Sequence, residues 1–241
     1  MPLWVASLDL KKAFDRLEFA SLLQAVSEQG LPNQYTQLLA ALYADQTAAV
    51  KGSRSFHIRR GVKQGDVISP ILFNAGLELA FRRWKQRLGT EGWLLDDAGG
   101  RLTNTRFADD IMIYAKSLPE LVRMLDSLTE ELARVGLQLN AAKTKILTND
   151  EARSHDDTPT FVDTAGGMLD LLPAAAVHRY LGRHICGQPQ TRGDAELNHR
   201  IAQAWGKFHQ HRDTLLNRNV SVRLRLKLLD TIICWTWFCP M

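Results

Sequence analysis

At 241 residues and 45% hydrophobic composition, the chain is long enough to bury the core of one large domain or two modest ones. A formal charge of +4 and a pI near 9.0 permit contact with nucleic acid without demanding it. Cys186, Cys234 and Cys239 form no CxxC pair, which argues against a disulfide framework or a structural zinc, and no apolar run approaches the roughly 20 residues of a bilayer span.

In chain order, residues 5–8 are a short apolar run that reads as a strand delivering Asp9 at its end. A helix follows from about Leu17, with Leu22, Leu23 and Val26 on one face and Gly30 as its stop. Pro32 starts a second helix with the stripe Tyr35, Leu38, Leu39 and Leu42. Residues 47–58 then read as a hairpin parted by Gly52-Ser53. Residues 61–69 hold two glycines and no apolar run, as a loop does. Ser69-Pro70 opens a long helix, serine as cap and proline in the first turn, carrying Leu72, Phe73, Leu77, Phe81 and Trp84 to about Gly89.

After a turn at Gly99-Gly100, residues 106–115 read as two strands joined at Asp109-Asp110, which puts both carboxylates at a hairpin tip. Ser117-Leu-Pro119 caps a helix with the stripe Leu121, Leu125, Leu128, Leu132 and Val135, ended by Gly136. Residues 143–147 read as a strand, 149–160 as an exposed polar loop and 177–185 as strand and turn. From about Arg192 the chain turns basic and helical, with Ser221 as cap of a helix carrying Leu224, Leu228, Leu229 and Ile232. Between Arg192 and Lys227, eight Lys and Arg residues meet three acidic ones, a local surplus of five that leaves the remainder at −1. This change of composition sets an expected division into residues 1–190 and 191–241. His209-x-His211 has no matching cysteines and reads as a solvated helix face.

Asp109 and Asp110 lie between apolar segments, where two adjacent anions repel each other and lose hydration unless they face solvent or a cation. Magnesium suits such a place, because it prefers hard oxygen ligands and, as a pair of ions, stabilises the attacking and leaving oxygens of phosphoryl transfer. Taken singly, Asp109-Asp110 also fits a polar hairpin turn, and Asp9 a helix cap or a charge at a strand end.

Leu8-Asp9-Leu-Lys-Lys-Ala-Phe14-Asp15 resembles motif A of reverse transcriptases, and Phe107-Ala-Asp109-Asp110 resembles motif C. Between them, Gly61-Val-Lys-Gln64-Gly65-Asp66-Val67-Ile-Ser69-Pro70 is similar to motif B, with Val67 where the family usually has proline. Gly136-Leu-Gln-Leu-Asn140-Ala-Ala-Lys143-Thr144 is similar to motif D, and Tyr180-Leu181-Gly182 to the primer-grip motif. The style is that of non-LTR, LINE-type retrotransposons, with group II intron proteins and related bacterial enzymes close behind.

The resemblance implies an α+β fold: a polymerase palm whose antiparallel sheet is backed by helices, a partial fingers segment and the helical start of a thumb from residue 191. It implies RNA-directed DNA polymerisation, with Asp9 and Asp109 holding two Mg2+ ions (Mn2+ as a possible substitute) and Asp110 supporting them. Phe14 matches the steric gate that crowds the sugar 2′ position, a core aromatic being the other reading of the residue. Gln64 and Gly65 match contacts to template and incoming nucleotide, and glycine permits close approach of backbone to substrate. Lys143 matches the motif D lysine that protonates the leaving pyrophosphate or stabilises its charge, and otherwise reads as a surface lysine. Tyr180, Leu181 and Gly182 match the turn that holds the primer terminus. The basic C-terminal helices match a surface for duplex phosphates.

The implied partners are an RNA template, a DNA primer and deoxynucleoside triphosphates, with no membrane. Motif A begins at Leu8, so the family's upstream fingers strands are expected from upstream sequence or from another chain. With no signal-peptide pattern at the start, an intracellular location, nuclear or cytoplasmic, is the expectation. Two alternatives stand beside this reading: an inactive remnant that binds RNA or RNA–DNA duplex, and an RNA-templated RNA polymerase, against which Phe14 speaks.

Overall fold

The computed structural model describes residues 2–49, 51–52, 54–96, 99–150, 160–173, 175–187 and 189–234. Its chain divides into two compact units, Met1–Thr148 with Thr158–Leu172, and Asn149–Asp157 with Pro173–Met241. The change to basic, helical composition near Arg192 therefore falls inside the second unit.

The first unit is built on a six-stranded sheet. Its strands are β1 (Trp4–Leu8), β6 (Asn104–Phe107), β7 (Asp110–Ala115), β8 (Lys145–Thr148), β9 (Thr160–Thr164) and β10 (Gly167–Leu171), in the order β6-β7-β1-β8-β10-β9. All neighbours are antiparallel except β8 and β10, which run parallel. β1 lies centrally and is buried along nearly its whole length, as its apolar run requires. Two pairs of two-residue strands complete the described strands of this unit: β2 (Thr47–Ala48) with β3 (Phe56–His57), and β4 (Trp93–Leu94) with β5 (Arg101–Leu102).

Helices α1 (Ala13–Arg16), α2 (Phe19–Glu28), α3 (Asn33–Tyr43), α4 (Ser69–Arg87) and α5 (Leu118–Arg134) belong to the same unit. α5 touches β7, β1 and β9, while α4 packs on α5 and α2. The expected α5 stripe is fully buried, and Ser117 caps the helix by accepting from the Glu120 N–H. Each such leucine contributes ~1.5–3 kcal/mol by burial. Trp84 ties α4 to α5, its indole N–H donating to the Met124 carbonyl at 3.0 Å and the Ser127 hydroxyl at 3.2 Å. Two carboxylates share the buried face of α5. Glu120 accepts from the Gly92 N–H at 2.6 Å, and Glu131 pairs with Arg87 and Arg134.

Two expectations need correction. Ile68, not Ser69, is the N-cap residue of α4, so Ser69 already sits inside the first turn and is buried there. On α3 only Leu39 and Tyr43 are buried, while Tyr35, Leu38 and Leu42 are exposed. The face that packs is rotated toward α2, where Phe19 and Tyr43 meet at 4.9 Å between ring centroids. The β9–β10 hairpin was not foreseen; Asp163 and Asp170 interrupt its apolar pattern. The Lys145 ammonium, one strand away, pairs with Asp170. The expected loop at 149–160 lies mostly outside the described residues.

The second unit holds the hairpin β11 (His178–Tyr180) and β12 (Arg183–Ile185), then α6 (Pro189–Gln210), α7 (Arg212–Leu216) and α8 (Val222–Leu228), which runs into a π-helical turn, Leu229–Cys234. Ser221 caps α8 as expected, accepting from the Leu224 N–H. No described helix is long and apolar enough to cross a membrane.

Candidate active site

Leu8 of β1 stands opposite Ile111 of β7, so at the next position Asp9 leaves the sheet beside Asp110, the first residue of β7. Phe107 pairs with Asp110, which leaves Ala108-Asp109 as a two-residue loop, with Ala108 at φ 54. Glycine ordinarily supplies a positive φ at the first position of such a turn. Alanine holds it at a cost of ~1–2 kcal/mol, so the surrounding structure must enforce it. Arg106, two residues before Ala108, ties β6 to α4. Its guanidinium donates to Glu78 of α4 at 2.6 Å and lies 4.2 Å from the Phe81 ring centroid. Burial would raise the Glu78 carboxyl, but Arg106 and Arg82 together hold it below its ordinary value.

The three aspartates share an electrostatic neighbourhood. Burial raises the Asp110 carboxyl above the ordinary value, and the negative charges of Asp109 and then Asp9 raise it further. As the side chains lie, no three His, Cys, Asp or Glu groups among the described residues close around a metal ion. The arrangement is a crowded anionic mouth at the open ends of two central strands. Its donors are all hard oxygens, and its mutual repulsion is what a divalent cation offsets, so the donor set fits Mg2+ with substrate phosphates and water completing the shell.

The segment carrying Asn140 and Lys143 is zipped onto the end of β1. Lys11 N–H donates to the Gln138 carbonyl at 2.8 Å, Leu10 bridges Leu139, and Asn140 N–H donates to the Asp9 carbonyl at 2.8 Å. Asn140 then uses its side chain as well, Nδ2 donating to Asp9 Oδ2 at 2.7 Å. The Asp9 N–H donates to the buried Thr144 hydroxyl at 3.3 Å. Lys143, exposed, rides on the turn closed by its own N–H to the Asn140 carbonyl at 3.1 Å. The motif D resemblance includes Asn140 and Lys143 but implies a role for Lys143 alone. Asn140 and Asp9 are far apart in the chain, so no local pattern could signal their pairing.

Phe14 is half-buried in α1 and stacked on Phe73 of α4, with centroids 4.6 Å apart and planes 21° from parallel. Its carbonyl accepts from the Val62 N–H at 2.7 Å, and that of Leu17 from the Gly61 N–H at 2.7 Å. At Gly61 a Cβ would stand 2.8 Å from the Asp15 carbonyl oxygen, so only glycine lets the two segments lie this close. Gln64, exposed, donates to Asp15 Oδ1 at 3.4 Å, and Gly65 has φ 87 with open space where a side chain would be. A cleft of about 760 Å³ opens here, lined by Asp15, Gln46, Arg60, Lys63 and Gln64 among others.

Tyr180, Leu181 and Gly182 lie in the second unit. Tyr180 ends β11, and Leu181 (φ 46) with Gly182 (φ 75) forms the turn to β12, both in the left-handed conformation of a tight hairpin. Glu196 of α6 secures this hairpin, accepting from the His184 N–H at 3.1 Å, from Arg183 at 3.5 Å and from Arg200 at 2.7 Å. Arg200 first, with that N–H and Arg183 adding, brings the Glu196 carboxyl down to about 2 against the burial that would raise it. Of the basic residues after Arg192, Lys207, Arg212, Arg218, Arg223 and Lys227 are exposed, whereas Arg200 is committed to Glu196 and Arg225 donates to the Leu215 carbonyl.

A family model described as reverse transcriptase (RNA-dependent DNA polymerase) matches residues 2–185. The chain is 34% identical over 145 residues to the retrovirus-related Pol polyprotein from type-2 retrotransposable element R2DM of Drosophila melanogaster, covering 58% of this chain and 13% of that protein. It is 31% identical over 144 residues to the Pol polyprotein from type-1 retrotransposable element R2 of Popillia japonica, covering 58% of this chain and 20% of that protein. The chain thus spans a fifth or less of the length of these relatives. The solved structure of apo telomerase from Candida tropicalis is similar in fold, with a TM-score of 0.54 and 15% identity over 78% of this chain and 32% of that one.

Proposed function

From the premise that the chain belongs to the reverse transcriptase family, on its non-LTR retrotransposon side, we propose that it is the palm of an enzyme that extends a DNA primer on an RNA template by two-metal nucleotidyl transfer. The observation that carries the proposal is the meeting of Asp9 with Asp109 and Asp110 at the ends of adjacent central strands, where burial and then the charges of Asp109 and Asp9 raise the Asp110 carboxyl. In the reaction the primer 3′-oxygen attacks the α-phosphorus, the new P–O bond forms, and the α–β bridging bond breaks to release pyrophosphate. Asp9 and Asp109 hold the two Mg2+ ions, with Asp110 beside them. Mg2+ supplies Lewis-acid stabilisation of the attacking and leaving oxygens, and Mn2+ takes the same oxygen donors.

Lys143 delivers a proton, or its charge, to the departing pyrophosphate. Phe14 excludes a 2′-hydroxyl by shape. Its stack on Phe73 suits that task, since a gate discriminates only if its wall does not yield. Gln64, which lines the cleft with Arg60 and Lys63, and the neighbouring Gly65 contact template and nucleotide, and the charges of Arg60 and Lys63 suit a phosphate backbone. Tyr180, Leu181 and Gly182 hold the primer terminus, and the exposed basic residues of α6–α8 contact duplex phosphates.

The test is primer extension on an RNA template with deoxynucleotides and Mg2+, by the chain itself and by a longer polypeptide carrying it with upstream sequence. Asp109→Ala should lose on the order of 10³-fold in rate, the scale of one missing electrostatic stabiliser. Extension unchanged in that variant would overturn the metal assignment. Phe14→Ala should raise ribonucleotide incorporation relative to deoxynucleotide, and an unchanged ratio would remove the gate.

A further inference from the structure

Resting on the reading of Asp9 as a metal ligand, we infer that Asn140 is a positioning residue that fixes the orientation of the Asp9 carboxylate. A carboxylate at a strand end rotates about its terminal bond unless something fixes its plane. The Asp9 oxygens can only accept, so the 2.7 Å contact at Oδ2 is a donation from the Asn140 amide N–H. A donor on Oδ2 sets the plane of the group, and Oδ1 then keeps one direction. The backbone works to the same end, because Asn140 N–H holds the Asp9 carbonyl at 2.8 Å and the Asp9 N–H holds Thr144 Oγ1 at 3.3 Å. Asp9 is thereby gripped at its N–H, its carbonyl and its side chain by one short segment, residues 140–144.

The Asn140 carbonyl also accepts from the N–H groups of Lys143 and Thr144, at 3.1 and 2.9 Å. One residue therefore joins the carboxylate on β1 to the turn that bears Lys143, so the acidic and basic partners of the proposed transfer share a single anchor. Hydrogen-bonding partners of metal ligands act in this way: they fix the ligand's orientation, and their loss typically costs ~10–100-fold in metal affinity.

The experiment is Mn2+ titration of the chain followed by electron paramagnetic resonance, without nucleotide or turnover. Four proteins are compared: the parent, Asn140→Ala, Asn140→Leu and Asp9→Ala. Asn140→Leu keeps nearly the shape of asparagine but has no donor, and thermal unfolding without metal checks that each variant is folded. Asp9→Ala should lose the site, and both Asn140 variants should raise the dissociation constant about 10-fold or more. If Asn140→Leu binds Mn2+ within about twofold of the parent while Asp9→Ala does not bind, the positioning role is wrong and the metal reading stands. If the parent takes up no Mn2+, or Asp9→Ala binds as the parent does, the metal reading itself fails and the positioning role goes with it.

Discussion

In the first unit, Leu121, Leu125, Leu128 and Leu132 of α5 are all but inaccessible to solvent, and the hydrophobic core runs unbroken from Trp4 to Leu171. In the second, Trp205, Leu224 and Leu226 are each more than half exposed, and Leu215 is its one buried apolar residue among those described. The first unit holds its shape by burial, and this lets it carry features that cost energy: a left-handed alanine in the Asp109 turn, and three carboxylates that repel one another. The second is held more by polar contacts, with Glu196 binding hairpin to helix. On the proposed function, a first unit held by burial suits metal ligands that must stay fixed, and a basic second unit suits contact with duplex of any sequence.

The largest expected effect sharpens this contrast. Leu128→Ala should destabilise the first unit by ~2–5 kcal/mol, read from the denaturant midpoint, because the cavity it leaves lies between α5 and the sheet. Leu224→Ala on α8 should stay within about 0.5 kcal/mol. Equal losses would break the comparison.

A smaller effect is expected at Glu196. Its carboxyl sits at about 2 against an ordinary 4.5, so its contribution is fully present above the ordinary value and is lost as pH falls from about 4.5 toward 2. Amide exchange at His184, whose N–H Glu196 accepts, should lose protection across that window. Glu196→Gln should remove the dependence and cost about 1–2 kcal/mol locally. Protection that is flat with pH in the parent protein would show that hairpin and helix are held by something else. The smallest effect is at Leu181, where the tight turn demands φ 46 of a side-chain-bearing residue. Leu181→Gly should relieve ~1 kcal/mol of strain, less the extra entropy of glycine, and steady the hairpin by some tenths of a kcal/mol. A clear loss of hairpin stability would mean that the Leu181 side chain makes contacts worth more than the strain.

What was legible in the sequence follows from the range of the forces involved. The α5 stripe, the capping by Ser117 and the hairpin around Asp109 depend on neighbours within a few residues, and each appears where periodicity and turn chemistry put it. The α3 stripe was misjudged because four apolar residues on one face do not say which neighbour covers them, and α2 covers an adjacent arc. The β9–β10 hairpin was hidden by the aspartates inside it, and the Lys145 partner of Asp170 lies on another strand. At the site, the motif resemblance pointed to Asp9, Asp109, Asp110 and Lys143. It placed Asn140 and Thr144 in motif D without a role for either and did not reach the Arg106–Glu78 pair, because these partners meet only once the sheet has formed.

On the proposed function, Asp9 acts with Asp109 and Asp110 in metal-dependent synthesis of DNA on RNA. The most direct test is single-nucleotide primer extension on an RNA template, titrated with Mg2+, for the parent polypeptide and Asp9→Asn, which keeps the shape of the side chain and removes its charge. Extension should rise and saturate with Mg2+ in the parent and stay at background in the variant. Mg2+-dependent extension of equal rate in both would contradict this role of Asp9.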